Sequence, residues 1–200
     1  KELIAFLIVI SGIPLFIKHF IAKKKTTILL YHNPKKVLFD KHLIYLTKKY
    51  NVIPLNKLIE AINNKNWNQI PSYPLILTFD DGHKDNYNLF DVCKVHKVNP
   101  TIYVCTKIVN SLRGFWFNSV KDSEKDFLKR LSQKKRMEFL KKKYNFFQNK
   151  NLLSNKRQAL NKYEILKMKK IFDFQSHSRY HAILPTCKNK ECFEDNIYYN

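Results

Sequence analysis

The chain has 200 residues, 44% of them apolar, enough for one domain with a sizeable core, which excludes intrinsic disorder as its main state. Lysine and arginine number 37 against 16 aspartates and glutamates, a formal net charge of +21, so an anionic neighbour is expected: a membrane surface, an acidic glycan or nucleic acid. The three glycines, Gly12, Gly82 and Gly114, cannot assemble either G-x-G-x-x-G or a Walker loop, which excludes nucleotide-cradling enzymes of those types.

Leu3 to Ile17 is a run of fifteen residues without a charge, followed by Lys18, His19, Phe20, Ile21, Ala22 and the triplet Lys23, Lys24, Lys25. With its interrupted tail the run reaches about 20 residues, the length of a helix across a bilayer core. Residues 1–25 therefore read as a membrane anchor or a deep interfacial segment, with Lys18 snorkelling and the triplet at an anionic surface. A cleaved signal peptide fits less well, because no small-x-small site precedes the triplet and Pro14 sits inside the run. The triplet favours a cytoplasmic following domain, a preference that charges upstream of Lys1 would reverse.

From Thr26 short β-type runs alternate with helical patterns. Thr27 to Tyr31 is a predicted strand, and Phe39, Leu43, Leu46 and Tyr50 recur at helical spacing. A short run at Asn51 to Leu55 precedes a helical pattern through Leu58, Ile59 and Ile62. Leu75 to Phe79 is the clearest strand, introduced by Pro71 and Pro74, closed by Asp80, Asp81 and Gly82, and apolar throughout, as a strand buried on both faces must be. A helix at Asn86 to Lys97, a break at Pro100 and a strand at Thr101 to Cys105 follow. This order predicts a parallel sheet or a (β/α) barrel. Residues 111–158 are too long for a βα loop, and Phe127, Leu131, Phe139 and Leu140 lie among lysines there, as in an exposed amphipathic helix or helical pair. Lys121 to Lys170 carries 17 basic against 5 acidic residues. Asn161 to Lys170 resumes a helical pattern, and Ile171 to Gln175 is the fifth predicted strand.

Two polar clusters follow predicted strands, where parallel α/β folds place their sites. Adjacent carboxylates such as Asp80 and Asp81 are costly at the end of a buried strand unless a cation or proton compensates, although Asp-Asp-Gly is also an ordinary turn. In the second cluster, Ser176 to His181, the H-x-x-x-H spacing puts His177 and His181 on one face of a helical turn, a separation two ligands of one metal need. A carboxylate from another strand end would complete a two-His, one-carboxylate set with open positions for water and substrate. The four cysteines form no C-x-x-C pair; Cys93 and Cys105 read as buried, and Cys187 and Cys192 flank a span that a small disulfide could close.

At these residues the chain resembles the polysaccharide deacetylases that carry the NodB homology domain, carbohydrate esterase family four. Thr78, Phe79, Asp80, Asp81 and Gly82 match the T-F-D-D-G motif, and His177, Ser178, Arg179, Tyr180 and His181 match H-[ST]-x-x-H. Tyr31-His32, Asp85-Asn86-Tyr87 and Pro100 to Val104 agree, so the resemblance covers about 27–184. It implies a distorted (β/α) barrel in residues 26–200, with 111–158 as a basic helical insertion. The implied activity is metal-assisted removal of acetyl groups from N-acetylated sugars of an envelope polysaccharide, glycolipid or precursor. Asp81, His177 and His181 would be the metal ligands, for Zn²⁺ first and Co²⁺, Ni²⁺ or Mn²⁺ as alternatives, and Asp80 the general base acting on a metal-activated water. His83 and Trp116 are expected to line the substrate site, Trp116 as part of a sugar platform with Arg113 and Phe115.

The family's later motifs, including the Leu-x-x-His that supplies a general acid, have no counterpart in the nineteen residues after His181. The expectation is a barrel without its last strands, with an open sheet edge, and a natural protein that continues past Asn200. The competing reading is a catalytically incomplete, membrane-tethered module that binds anionic glycan or lipid through its basic insertion. No helix-turn-helix, zinc finger or RRM signature accompanies the charge, so nucleic acid is not the expected partner.

Overall fold

The structure is a computed structural model that describes residues 2–152, 156–187 and 190. The N-terminal apolar run forms α1 (Glu2–Ile10) and α2 (Ile13–Phe16), continued by a π-helical turn at Ile17–Ile21 and a 3-10 turn at Ala22–Lys24. The expected unbroken helix is divided at Ser11 and Gly12 by a bend of 59°. Gly12 takes φ +74°, where only glycine is unstrained, and the Ser11 hydroxyl donates to the Ile8 carbonyl at 2.6 Å, closing the first helix. No single helix among the described residues is long and apolar enough to cross a membrane, whereas the bent pair reaches the required length and composition. Leu3, Ile4, Phe6 and Leu15 are all exposed, so the run is not a core helix.

The remaining elements are β1 (Thr27–Tyr31), α3 (Lys36–Lys49), β2 (Asn51–Val52), α4 (Leu55–Asn63), β3 (Pro74–Phe79), α5 (Phe90–His96), β4 (Thr101–Val104), α6 (Asp122–Arg130), α7 (Gln133–Tyr144), α8 (Lys162–Met168) and β5 (Asp173–Ser176). The five strands form one parallel sheet in the order β1-β3-β4-β5. Leu75 of β3 pairs with Thr27 of β1 and with Val52 of β2, so β2 occupies the edge that β4 takes over from Thr78 onward. All six residues of β3 are buried, as its apolar run requires of a strand covered on both faces. Phe79 anchors the core, with the rings of Phe39 and Phe172 at 5.3 and 6.3 Å.

β1 and β5 each pair with a single strand among the described residues, which leaves the barrel open on that side, as expected of one without its last strands. Ile28 and Leu30, on one face of β1, are half exposed. Cys93 and Cys105 are buried, as expected; Cys192 lies outside the described residues.

The basic insertion is the helical pair α6 and α7. Its apolar face differs from the expected one: Leu140 is buried, but Phe127 is 53% exposed, and Leu128 and Arg136 are buried instead. The chain breaks at Leu131 and Ser132 and folds back, so the buried residues are those between the two helices and the Trp116 loop. Ser132 caps α7 by accepting from the Lys135 amide. α8 begins with a capping box between Asn161 and Glu164, and Arg157 grips the same Glu164 carboxylate at 2.7 and 2.8 Å.

Candidate metal centre

Parallel register places three chain segments side by side. Asp80 to Gly82 leave β3, Cys105 to Lys107 leave β4, and His177 leaves β5, with the His177 amide donating to the Val104 carbonyl at 2.8 Å. Asp81 and Gly82 both take left-handed φ, +73° and +71°, a tight turn that sends the Asp81 side chain back over the strand end. A Cβ on Gly82 would lie 2.7 Å from Val104 Cγ1, so this position also needs glycine for close approach to β4.

Asp81 is 1% exposed. Its Oδ1 lies 3.1 Å from His181 Nε2 and 3.6 Å from His177 Nε2, while its Oδ2 meets His83 Nε2 at 3.1 Å. Burial by itself would raise the Asp81 carboxyl, but hydrogen bonds from His181 and His83 and the charges of both rings hold it well below the usual carboxylate range. Asp80 moves the other way: burial raises it, assisted by the Asp81 charge and opposed by His177, His32 and His181. The His177 imidazole is pushed down by burial and then by His181.

The two histidines meet by a route other than the expected helical turn. Ser178 and His181 have φ of +61° and +60°, and the residues between them form a turn. The amides of Thr106 and Lys107 donate to the carbonyls of Ser178 and Arg179 at 3.1 and 3.0 Å, and the Ser178 hydroxyl accepts from the Ala182 amide at 3.0 Å. These bonds bend the loop over the end of β4 and bring both imidazoles to Asp81. One donor atom from each of Asp81, His177 and His181 lies within 4.8 Å of the others.

This donor set fits a divalent cation. His181 Nδ1 is a buried polar atom without a hydrogen-bond partner, and the buried Asp81 carboxylate, isolated from water, turns Oδ1 towards two imidazole nitrogens that can act as ligands. His83, expected to line the site, binds the oxygen of Asp81 that faces away from the histidine pair, and so orients the carboxylate.

Trp116 is placed differently from the sugar platform expected of it. It is 2% exposed, its indole N–H donates to the His181 carbonyl at 3.2 Å, and the Arg136 guanidinium lies 5.4 Å from its ring centroid. Its ring is enclosed by the insertion and offers no face to a ligand. Tyr103 was not singled out from the sequence, yet the pairing of Phe79 with Ile102 sets it beside Asp80, and its phenol is raised by burial and by the Asp80 charge. Strand alternation would have found it only once the β3–β4 register was known.

No protein-family model matches the sequence, and no curated protein matches it. Solved structures do. A polysaccharide deacetylase of Bacillus cereus superposes with a TM-score of 0.51 at 21% identity, over 88% of this chain and 45% of its own. A Bacillus anthracis protein described as a polysaccharide deacetylase gives 0.52 at 20% identity with the same coverage. The likeness establishes the fold, and the chain spans less than half the length of either protein.

Proposed function

We propose that this chain is the metal-binding part of a hydrolase that removes acetyl groups from N-acetylated sugars of an envelope polysaccharide, glycolipid or precursor. The observation that carries the reading is the buried Asp81 Oδ1 facing the Nε2 atoms of His177 and His181 at the end of a parallel sheet of deacetylase fold. Asp81, His177 and His181 would hold the cation; two imidazoles and one carboxylate suit Zn²⁺ first, and also Co²⁺, Ni²⁺ or Mn²⁺. When bound, such an ion supplies Lewis-acid polarisation of an acetyl carbonyl and acidifies water. Asp80, made more basic by burial, accepts the proton of the attacking water. On the β4 side Val104 lies against Gly82, and the Cys105 amide donates to the Asp81 carbonyl at 3.4 Å, which holds the turn against that strand.

The apolar segment ahead of β1 serves in this reading as a membrane tether. The Lys23 carbonyl accepts from the Tyr73 amide just before β3, whereas the carboxylates follow the far end of that strand. Six residues of strand separate the two by about 20 Å, so a tethered chain turns its site away from the bilayer. The alternative, a non-catalytic module for anionic glycan or lipid, is favoured by the exposed Lys134, Lys135, Lys141, Lys142 and Lys143 of α7.

Metal analysis of the purified chain tests the proposal. Wild type is expected to bind one divalent ion per chain, lost in Asp81→Ala and in His177→Ala; equal metal content in all three would overturn it. Steeply salt-dependent glycan binding without metal would instead favour the module.

A further inference from the structure

We infer that the helical insertion is a positioning element of the metal centre, clamping His181 through Trp116 and Arg136. The inference rests on the metal reading above and assigns the insertion a role other than surface charge.

Three contacts converge on the segment that begins at the second histidine. The Trp116 indole N–H donates to the His181 carbonyl at 3.2 Å. Ile183, two residues on, packs against the cluster of Trp116, Leu128, Leu140 and Phe146. The Arg136 guanidinium reaches the Thr186 hydroxyl at 3.4 Å and, from the same α7 position, covers the Trp116 ring. Arg136 is completely buried and also donates to the Leu128 and Leu131 carbonyls at 3.4 Å, so it ties the α6–α7 junction to the ring it covers.

The clamp acts where the backbone least favours its own conformation. His181 sits at φ +60°, a left-handed setting uncommon outside glycine although histidine adopts it more readily than most L residues, so a main-chain contact at this position helps to select it. Its imidazole Nδ1 makes no hydrogen bond, so the ring is held by packing against Phe117 and not by a polar partner on that nitrogen. Metal-ligating histidines usually receive that support through the second ring nitrogen. Here the support comes through the main chain: fixing the His181 carbonyl fixes the peptide plane from which the imidazole projects. The exposed lysines of the insertion are then the solvated side of a support whose inner side holds the ligand.

Linkage makes this testable in both directions, because a group that positions a ligand is itself stabilised when the ligand binds metal. The first arm measures Zn²⁺ affinity of wild type, Asp81→Ala and Trp116→Phe, which keeps an aromatic ring and deletes the N–H. Trp116→Phe is expected to bind about 10- to 100-fold more weakly, with an altered visible spectrum when loaded with Co²⁺ and an unchanged circular dichroism spectrum. The second arm needs no substitution: amide exchange in 122–144 of wild type is expected to slow when Zn²⁺ is added. Wild-type affinity and an unchanged Co²⁺ spectrum in Trp116→Phe, or exchange in 122–144 indifferent to Zn²⁺, would overturn the clamp while leaving the metal centre standing. Absence of Zn²⁺ binding by wild type itself would overturn the metal reading and the clamp with it.

Discussion

Replacing Gly82 by alanine probes the turn on which the candidate site depends. At φ +71° an alanine pays about 1–2 kcal/mol for the left-handed conformation. Its Cβ would also stand 2.7 Å from Val104 Cγ1 and 3.2 Å from Val104 Cβ, an overlap of the kind that costs about 1–3 kcal/mol in a packed core. The stiffer unfolded chain returns about 0.4–1 kcal/mol. The net destabilisation is about 2–4 kcal/mol, and at about 2–4 °C per kcal/mol for a chain of this size the expected fall in Tm is about 5–15 °C. Val104→Ala separates the two causes, since it removes the atom in closest conflict and leaves φ unchanged. By itself it costs about 1.5 kcal/mol for two methyl groups. Added to Gly82→Ala it should cost less, giving a favourable coupling of about 1–2 kcal/mol in a double-mutant cycle measured by urea denaturation. Strict additivity, or a Tm for Gly82→Ala equal to that of wild type, would refute the close-approach argument.

Two further outcomes are expected. His83→Ala removes the hydrogen bond that orients Asp81, and should weaken Zn²⁺ binding about 10- to 100-fold, with His83→Gln intermediate; isothermal titration reads the difference, and equal affinities in all three proteins would discard the orienting role. Glu124 is held below the ordinary glutamate range by hydrogen bonds from Lys143 and Tyr144, so the α6–α7 contact it makes is complete above that range and is lost as pH falls below it. Amide exchange in 122–144, corrected for intrinsic rates, should therefore accelerate on acidification in wild type and respond less in Glu124→Gln, where the Asp122 pair with Lys125 still titrates; equal responses in the two proteins would discard the Glu124 contact.

Much of the sheet was legible in the residues because the relevant signals are local. The unbroken apolar run ending at Phe79, the proline at 74 and the Asp-Asp-Gly turn identify β3 and its end without reference to the rest of the chain, and parallel topology follows from alternating strand and helix patterns. The candidate residues Asp80, Asp81 and His177 were legible for the same reason, since each stands just after a recognisable strand, and His181 follows in the loop that His177 begins.

Other features depend on contacts between residues far apart in sequence. H-x-x-x-H spacing suggested a helical turn, whereas left-handed settings at Ser178 and His181, held by amides from the loop after β4, produce the approach. Trp116 has the composition of a sugar platform, yet burial under Arg136 turns it into a backbone hydrogen-bond donor. The N-terminal run has the length of one helix, and a single left-handed glycine divides it. Residue type and spacing thus determined which groups could bind a cation and at which strand ends they stand. Only the tertiary structure decided which face of Asp81 meets the histidines and what holds them there, because those depend on register, burial and main-chain hydrogen bonds that no local pattern encodes.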